Sequence, residues 1–350
     1  MFERRHFAPC ALAVLAFTLL LGCGGGHGST VTAGSAQVSA SDFAGQFDAL
    51  WSTFNQNYSY FDYKHIDWDA ARATFRARAQ AARTEDQLVA VVKDMLGTLH
   101  DQHVTLIDPT GATVRTFVPS QPVNFDTSVF NSQYAERASF TPGPGGRFGF
   151  GFFNGVGYIQ ISSWNTTTVH IEDLDAAMEN FRNTAALIVD VRNNGGGDDQ
   201  LAYQFAGRFA DATRTTEFVQ FRNGPLHSDF TALQSRTIAP RGAFQFTRPV
   251  VLLIGRGCAS SNESFIAAMR ELPNVTVMGD TSAGASGNPG TFQLGGGWSY
   301  TVSRWIDYTA EKQVIEDQGI APAIQVAASA ADFAAGRDPV LDAAIARLAH

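Results

Sequence analysis

Hydrophobic positions recur with a helical period in the first third of the chain. A helix is expected from residue 43, a second over residues 68–82, and a third after Thr84, which forms a capping-box pattern with Gln87. The apolar face of the first comprises Phe43, Phe47, Leu50, Trp51, Phe54 and Tyr58, and that of the third comprises Leu88, Val91, Val92, Met95 and Leu99. We therefore predict a small N-terminal helical domain over residues 41–102.

The pattern changes beyond residue 150 to short apolar, β-branched runs that alternate with helical stretches. Residues 108–150, rich in Gly, Pro, Ser and aromatic side chains, predict only short strands and loops. The expected strands cover residues 156–161, 186–191, 249–255 and 275–280, and the expected helices cover residues 171–183, 200–209 and 262–272. This alternation is typical of an α/β fold with a largely parallel sheet covered on both faces.

The N-terminus has the pattern of an export signal. Two arginines precede an apolar run over residues 11–21, which is too short to span a membrane. The run ends in Leu-Leu-Gly-Cys at Cys23, which resembles the lipobox of bacterial lipoproteins, with an ordinary secretory signal as the alternative. We predict a signal peptide over residues 1–22, a lipid attached to Cys23, and a flexible tether of small polar residues over 23–40.

Composition excludes several classes of function. The net charge is −8, only three lysines occur, and no basic run follows residue 5, which argues against nucleic acid as a partner. Of the three cysteines, Cys10 and Cys23 lie in the N-terminal segment, so no internal disulfide and no zinc-type Cys/His spacing is available. The remaining Cys258 is predicted to be a small buried residue.

Two of the expected strand ends carry residues suited to chemistry. After the strand at 249–255, the sequence GRGCASSNESF places Ser260 before a helix, either as an N-cap in an S-x-x-E capping box or as a nucleophile at the positive helix end. After the strand at 186–191, RNNGGGDDQ supplies three glycines, either for a plain turn or for backbone N–H groups that converge on an anion.

A nucleophilic serine needs a base. Lys312 is the only lysine after Ser260, and three of the eight histidines lie in the signal, in the tether or at the terminus. Spacing alone does not choose among the remaining histidines, which are His65, His100, His103, His170 and His227.

Five motifs in order give the chain a resemblance to the tail-specific (C-terminal processing) serine peptidases. They are LHDQHVTL, LIVDVRNNGGG, VVLLIGRGCASSNESFIAAM, VTVMGDTSAGASG and VIEDQGIAPAIQV, and they extend over roughly residues 43–326. The resemblance implies a ClpP/crotonase-like ββα spiral core, here a catalytic domain over residues 103–350, preceded by the helical domain. It implies no metal or organic cofactor. The interval 105–155 is too short for the PDZ module that many relatives insert.

The resemblance also assigns roles to residues. Ser260 matches the family nucleophile, and Gly196 with the N–H of Ser261 matches the oxyanion hole. Members of the family that use a serine–lysine dyad have a lysine in the segment that corresponds to residues 280–287. This segment contains no lysine here, so the base is not that lysine. The tricorn-core branch uses histidine and glutamate instead, and its motifs match His103 and Glu316, with Gln102 as a candidate intermediary between them.

The expected function is that of a serine endopeptidase of the cell envelope, lipid-anchored on the periplasmic face or cell surface, acting on peptides or proteins. An esterase would need the same groups. The alternative from another class is a non-catalytic module that binds apolar ligands, because the resemblance extends to interphotoreceptor retinoid-binding protein and the chain has 27 phenylalanines.

Overall fold

The computed structural model of the protein describes residues 42–120 and 124–349. The predicted signal peptide, the lipid site at Cys23 and the tether lie outside these residues. Within them, no helix combines the length and the apolar character needed to cross a bilayer.

The three predicted N-terminal helices are confirmed as α1 (Phe43–Asn57), α2 (Trp68–Ala81) and α3 (Glu85–Gly97). Asp42, Asp67 and Thr84 each accept a hydrogen bond from a first-turn N–H, which satisfies donors that a helix start leaves open. The apolar faces of the helices pack in one core together with strand residues such as Leu106, Tyr300 and Val302. The helices therefore pack against strand residues that are far apart in the sequence, around positions 106 and 300–302.

The other elements alternate along the chain. The remaining helices are α4 (Thr127–Val129, continued by a π-helical turn over Phe130–Tyr134), α5 (Ile171–Glu179), α6 (Asp199–Ala206), α7 (Ser261–Arg270), α8 (Ala330–Ala334) and α9 (Pro339–Leu348). The strands are β1 (Thr105–Ile107), β2 (Thr113–Arg115), β3 (Thr141–Pro142), β4 (Phe148–Phe153), β5 (Val156–Ile161), β6 (Leu187–Asp190), β7 (Arg214–Phe221), β8 (Gln234–Ile238), β9 (Val250–Ile254), β10 (Val275–Gly279), β11 (Pro289–Gly295), β12 (Trp298–Ser303), β13 (Trp305–Thr309) and β14 (Ile324–Gln325).

A seven-stranded sheet in the order β14-β10-β9-β6-β5-β4-β3 forms the centre of the fold. Its strands from β14 to β5 pair in parallel, and β4 and β3 are antiparallel. Alternate residues of β9 enter two different cores: Val250, Leu252 and Ile254 face the core that contains α5, α6 and α7, and Val251 and Leu253 face the core that contains α9. The predicted α/β class with a covered parallel sheet is confirmed.

Two antiparallel sheets were not predicted from the sequence. One has the order β11-β12-β1-β2 and the other the order β13-β7-β8. Their strands mix polar with apolar residues, so they lack the continuous apolar runs that mark the central strands. The helical turns over residues 127–134 also differ from the strands and loops expected there.

Candidate active site

Ser260 lies at the corner between β9 and α7. Its backbone has φ +58° and ψ −135°, a conformation that residues with a Cβ rarely adopt. Its N–H donates to the carbonyl of Ala285 at 2.7 Å, and its side chain accepts no hydrogen bond from the first turn of α7. The capping-box interpretation is therefore wrong, and the hydroxyl is free for another use.

Glu263, the other half of the expected capping box, braces a neighbouring loop. Its buried carboxylate accepts from Ser282 Oγ at 2.6 Å and from the N–H groups of Gly284 and Ala285 at 2.8 Å each. Burial raises the pKa of Glu263 to about 7, against the opposing effect of these donors. The glutamate thus connects α7 to the 282–285 loop, whose Ala285 carbonyl in turn holds the N–H of Ser260.

The two predicted oxyanion donors differ in their surroundings. Gly196 has φ +106°, and a Cβ there would lie 2.7 Å from the Cβ of Ser260, so only glycine permits this approach. Its N–H donates to Asn194 Oδ1 at 2.9 Å. The N–H of Ser261, at the positive end of α7, has no hydrogen-bond partner among the described residues.

His103 lies between α3 and β1, and its main chain is fixed on both sides. Its N–H donates to Asp101 Oδ1 at 2.7 Å, and its carbonyl accepts from Thr301 Oγ1 at 2.6 Å. The ring atom Nδ1 accepts a long hydrogen bond of 3.4 Å from the N–H of Gly287, too weak to fix the tautomer. Withdrawal from water lowers the pKa of His103 below its usual value, and the charge of Asp101 partly opposes this shift. The neutral imidazole is therefore favoured.

Glu316 is buried and does not bond to His103. Its Oε1 lies 2.9 Å from Lys64 Nζ, and its Oε2 accepts from the N–H of Ser286 at 3.1 Å. Burial raises the pKa of Glu316 well above its usual value, the charge of Asp101 adds to the shift, and Lys64 opposes it. The connection to the imidazole thus runs through the main chain of residues 286 and 287. Gln102 makes no hydrogen bond to either residue within the described ranges.

The other candidate histidines have contacts of their own. His100 is exposed and its ring lies 5.1 Å from that of Phe117, and His227 Nε2 is 2.8 Å from Asn55 Oδ1. His65 and His170 are exposed. Of the five candidates, His103 is the histidine that lines a cavity beside the Ser260 loop.

Three residues around the site were missed by the sequence analysis. Lys64 neutralises Glu316, Asp101 holds the main chain of His103, and Ser286 links Glu316 to the segment that contacts the imidazole. Lys64 is one of only three lysines, and that rarity was the available signal. Nothing in the sequence pairs it with Glu316, because 252 positions separate them and only the fold brings them together.

Two cavities flank the Ser260 loop. One, of about 320 Å³ and hereafter the serine cavity, is lined by Ser260, Ser261, Ser286, Trp305 and Asp307, among others. The other, of about 520 Å³ and hereafter the histidine cavity, is lined by residues that include Gln102, His103, Gly195, Ala259 and Ala285. Pro289 lines both, so the two cavities are neighbours at this residue.

Cys258 is buried, as predicted, and its Sγ donates to the carbonyl of Val191 at 3.2 Å. Burial raises the pKa of this thiol far above its usual value, which makes it a poor nucleophile. Across residues 42–120 and 124–349, His, Cys, Asp and Glu side chains form no group suited to hold a metal ion.

Comparison with known proteins places these features in a family. The family model "Peptidase family S41" matches residues 155–326, and the model "Tricorn protease C1 domain" matches residues 39–97. The crystal structure of a "putative peptidase" from Parabacteroides merdae ATCC 43184 superposes with a TM-score of 0.77 at 30% identity, over 87% of this chain and 96% of that one. The chain belongs to peptidase family S41.

Other members of family S41 agree with this assignment. The carboxy-terminal processing protease CtpA of Bacillus subtilis (strain 168) is 32% identical over 198 residues, which cover 54% of this chain but only 38% of CtpA. The tricorn protease structure superposes with a TM-score of 0.58 at 15% identity, over 88% of this chain and 36% of tricorn, and shares the fold. The chain thus spans little more than a third of the length of these two relatives.

Proposed function

We propose that the protein is a serine endopeptidase in which Ser260 is the nucleophile, His103 the general base and Glu316 the residue that stabilises the charged imidazole. The observation that carries the proposal is the backbone of Ser260, held at φ +58° at a strand-to-helix corner while its hydroxyl caps nothing. Backbone strain of this kind persists where the surroundings hold it, and it clusters at active sites.

In this mechanism the Ser260 hydroxyl loses its proton to His103 as Oγ attacks the substrate carbonyl carbon. His103 then gives the proton to the leaving amine, and a water molecule hydrolyses the acyl-enzyme by the same route. No hydrogen bond joins Ser260 Oγ to the imidazole among the described residues. Such contacts commonly tighten only when substrate binds.

The negative charge on the tetrahedral intermediate needs donors. The N–H of Ser261 is available at the positive end of α7, and we propose it as the first donor. Gly196 N–H is proposed as the second, in which case it exchanges Asn194 Oδ1 for the substrate oxygen. Its tight approach to Ser260 supports this assignment.

Glu316 acts in this proposal without touching the imidazole. A carboxylate bonded to the N–H of Ser286 holds the segment whose next N–H, that of Gly287, meets His103 Nδ1. The charge of Asp101, which raises the pKa of His103, favours the imidazolium that forms when Ser260 is deprotonated. Lys64 favours the ionised form of Glu316, whereas burial, which raises the pKa of Glu316, opposes that form.

A fluorophosphonate probe tests the proposal. The probe should label the wild-type protein, and mass spectrometry of its digest should locate the adduct on Ser260. The Ser260→Ala variant should show neither labelling nor peptide hydrolysis. A non-catalytic ligand-binding module would not be labelled, and an esterase would turn over ester but not peptide substrates.

Localisation belongs to the proposal as well. The lipobox-like sequence before Cys23 supports a lipid-anchored protein of the cell envelope, facing the periplasm or the cell surface. Its substrates would then be envelope or secreted proteins and peptides.

A further inference from the structure

The serine cavity contains several buried polar atoms that the chain itself leaves without partners. Ser261 Oγ, Ser286 Oγ and Asp307 Oδ1 are all buried, and none has a hydrogen-bond partner among the described residues. Buried polar groups in folded proteins are nearly always paired. Ser286 Oγ has the Tyr60 hydroxyl as a neighbour, so Ser261 Oγ and Asp307 Oδ1 are the two atoms that indicate a site whose partners come from outside the chain.

Asp307 lines this cavity, and a second carboxylate, Glu217, lies on the adjacent strand. Asp307 of β13 pairs with Val219 of β7, and Glu217 of β7 pairs with Thr309, so the two carboxylates project from one face of the sheet. Asp307 is 1% exposed and Glu217 is fully buried. Burial raises the pKa of both carboxyls, and that of Asp307 is raised further by the charge of Glu217. A cation placed between them would relieve both effects.

One basic side chain, Arg236, acts on both carboxyls, and its charge opposes the rise in their pKa values without cancelling it. Arg236 lies 2.5 Å from Asp199 and 3.9 Å from Glu217, and it stacks over the rings of Tyr203 and Trp305. No ion pair joins Asp307 to a basic side chain within the described part of the chain. Asp198 also lines the cavity, and its Oδ1 accepts from the N–H of Leu201 as the N-cap of α6. The described acidic groups here therefore outnumber the basic ones.

The position of the cavity identifies which part of a substrate enters it. Ser260 and Ser261 both line the serine cavity, so a substrate attacked by Ser260 would have a side chain next to the scissile bond at its entrance. The volume of about 320 Å³ is at the lower end of the range of roughly 300–1,000 Å³ that small-molecule sites occupy. Trp305 and Pro289 offer apolar surface for a hydrocarbon stem on the way to Asp307.

We propose that the serine cavity is the specificity pocket of the peptidase, and that it selects a lysine or arginine side chain on the acyl side of the scissile bond through an ion pair with Asp307. This inference rests on the proposed function and names its substrate class. Ser261 Oγ completes the site as a neutral acceptor for a remaining N–H group of the cation.

Two matched peptides test whether the cavity recognises the positive charge of the substrate side chain. Two fluorogenic peptides that differ only in carrying lysine or uncharged norleucine at the cleaved position should give a higher kcat/KM for lysine with the wild-type protein. Asp307→Asn should reduce the kcat/KM for the lysine peptide by about ten- to hundredfold, the loss expected for a hydrogen bond to a charged group, and should leave that for norleucine nearly unchanged. Asp62→Asn, at an exposed carboxylate, serves as the matched control and should change neither.

A binding measurement separates this inference from the proposed function. Calorimetry with Ser260→Ala, which needs no turnover, should show tighter binding of the lysine peptide than of the norleucine peptide. The double variant Ser260→Ala with Asp307→Asn should lose that difference. Equal binding, or a wild-type preference for norleucine, overturns the specificity assignment even when hydrolysis is observed. Charge-selective binding without any hydrolysis would sustain the pocket and overturn the peptidase proposal instead.

Discussion

Two substitutions at Ser260 distinguish the loss of its hydroxyl from the relief of its strained backbone. Ser260→Ala removes only Oγ, which accepts no hydrogen bond from α7, so the free energy of unfolding should stay within about 0.5 kcal/mol of wild type. Ser260→Gly also removes the Cβ that conflicts with φ +58° and ψ −135°. Both variants should be inactive.

The expected difference between the two variants follows from opposing contributions. A residue with a Cβ in such a sparsely populated conformation is destabilised by roughly 1–3 kcal/mol. Glycine loses more conformational entropy on folding than alanine, which opposes the gain by roughly 0.5–1 kcal/mol. Ser260→Gly should therefore be more stable than Ser260→Ala by about 1 kcal/mol, and by at most about 2.5 kcal/mol.

Urea unfolding of the wild type, Ser260→Ala and Ser260→Gly measures these differences in the free energy of unfolding, with the midpoints compared at a common slope. The reasoning is refuted if the glycine variant is no more stable than the alanine variant, because the strain would then be absent. A loss of about 1 kcal/mol in Ser260→Ala would instead restore the helix-cap role. Peptide turnover by either variant would remove Ser260 from the mechanism altogether.

Further predictions concern the base, its supporting charges and the anchor. Activity should rise with pH through an apparent pKa below the ordinary histidine value of about 6.5, because the lowered pKa of His103 keeps the imidazole neutral and able to accept a proton, and His103→Ala should abolish turnover at every pH. Glu316→Gln should retain partial activity in steady-state kinetics, since the nucleophile and donors remain. Lys64→Met should lower the free energy of unfolding, measured by urea denaturation, by roughly 3–5 kcal/mol, because it leaves the buried Glu316 without its ion-pair partner. The control Lys312→Met, at an exposed lysine, should change neither stability nor activity. Cys23→Ala should release the protein from the membrane fraction, and an unlipidated mature N-terminus beyond Cys23 in the wild type, found by mass spectrometry, would contradict this.

The sequence by itself determined the elements that bury continuous or periodic apolar faces. The helix over residues 43–57 and the strand over residues 156–161 occur where their patterns predicted. The spacing of apolar residues along a short segment is enough to show which face of that segment is buried. The ordered motifs likewise predicted the family. The antiparallel strands over residues 214–221 and 305–309 escaped prediction, since they are stabilised by pairing with partners distant in sequence.

The candidate site divides in the same way. Residue types and local spacing singled out Ser260 and the glycine loop, and the family resemblance added His103 and Glu316. The assignment of partners required the tertiary structure: Glu316 faces Lys64 and the N–H of Ser286, Glu263 braces a loop in place of a helix cap, and Asp307 lines the cavity beside Ser260. Hydrogen bonds and ion pairs depend on distances of a few ångströms between residues that can lie 250 positions apart, and only the folded chain fixes those distances.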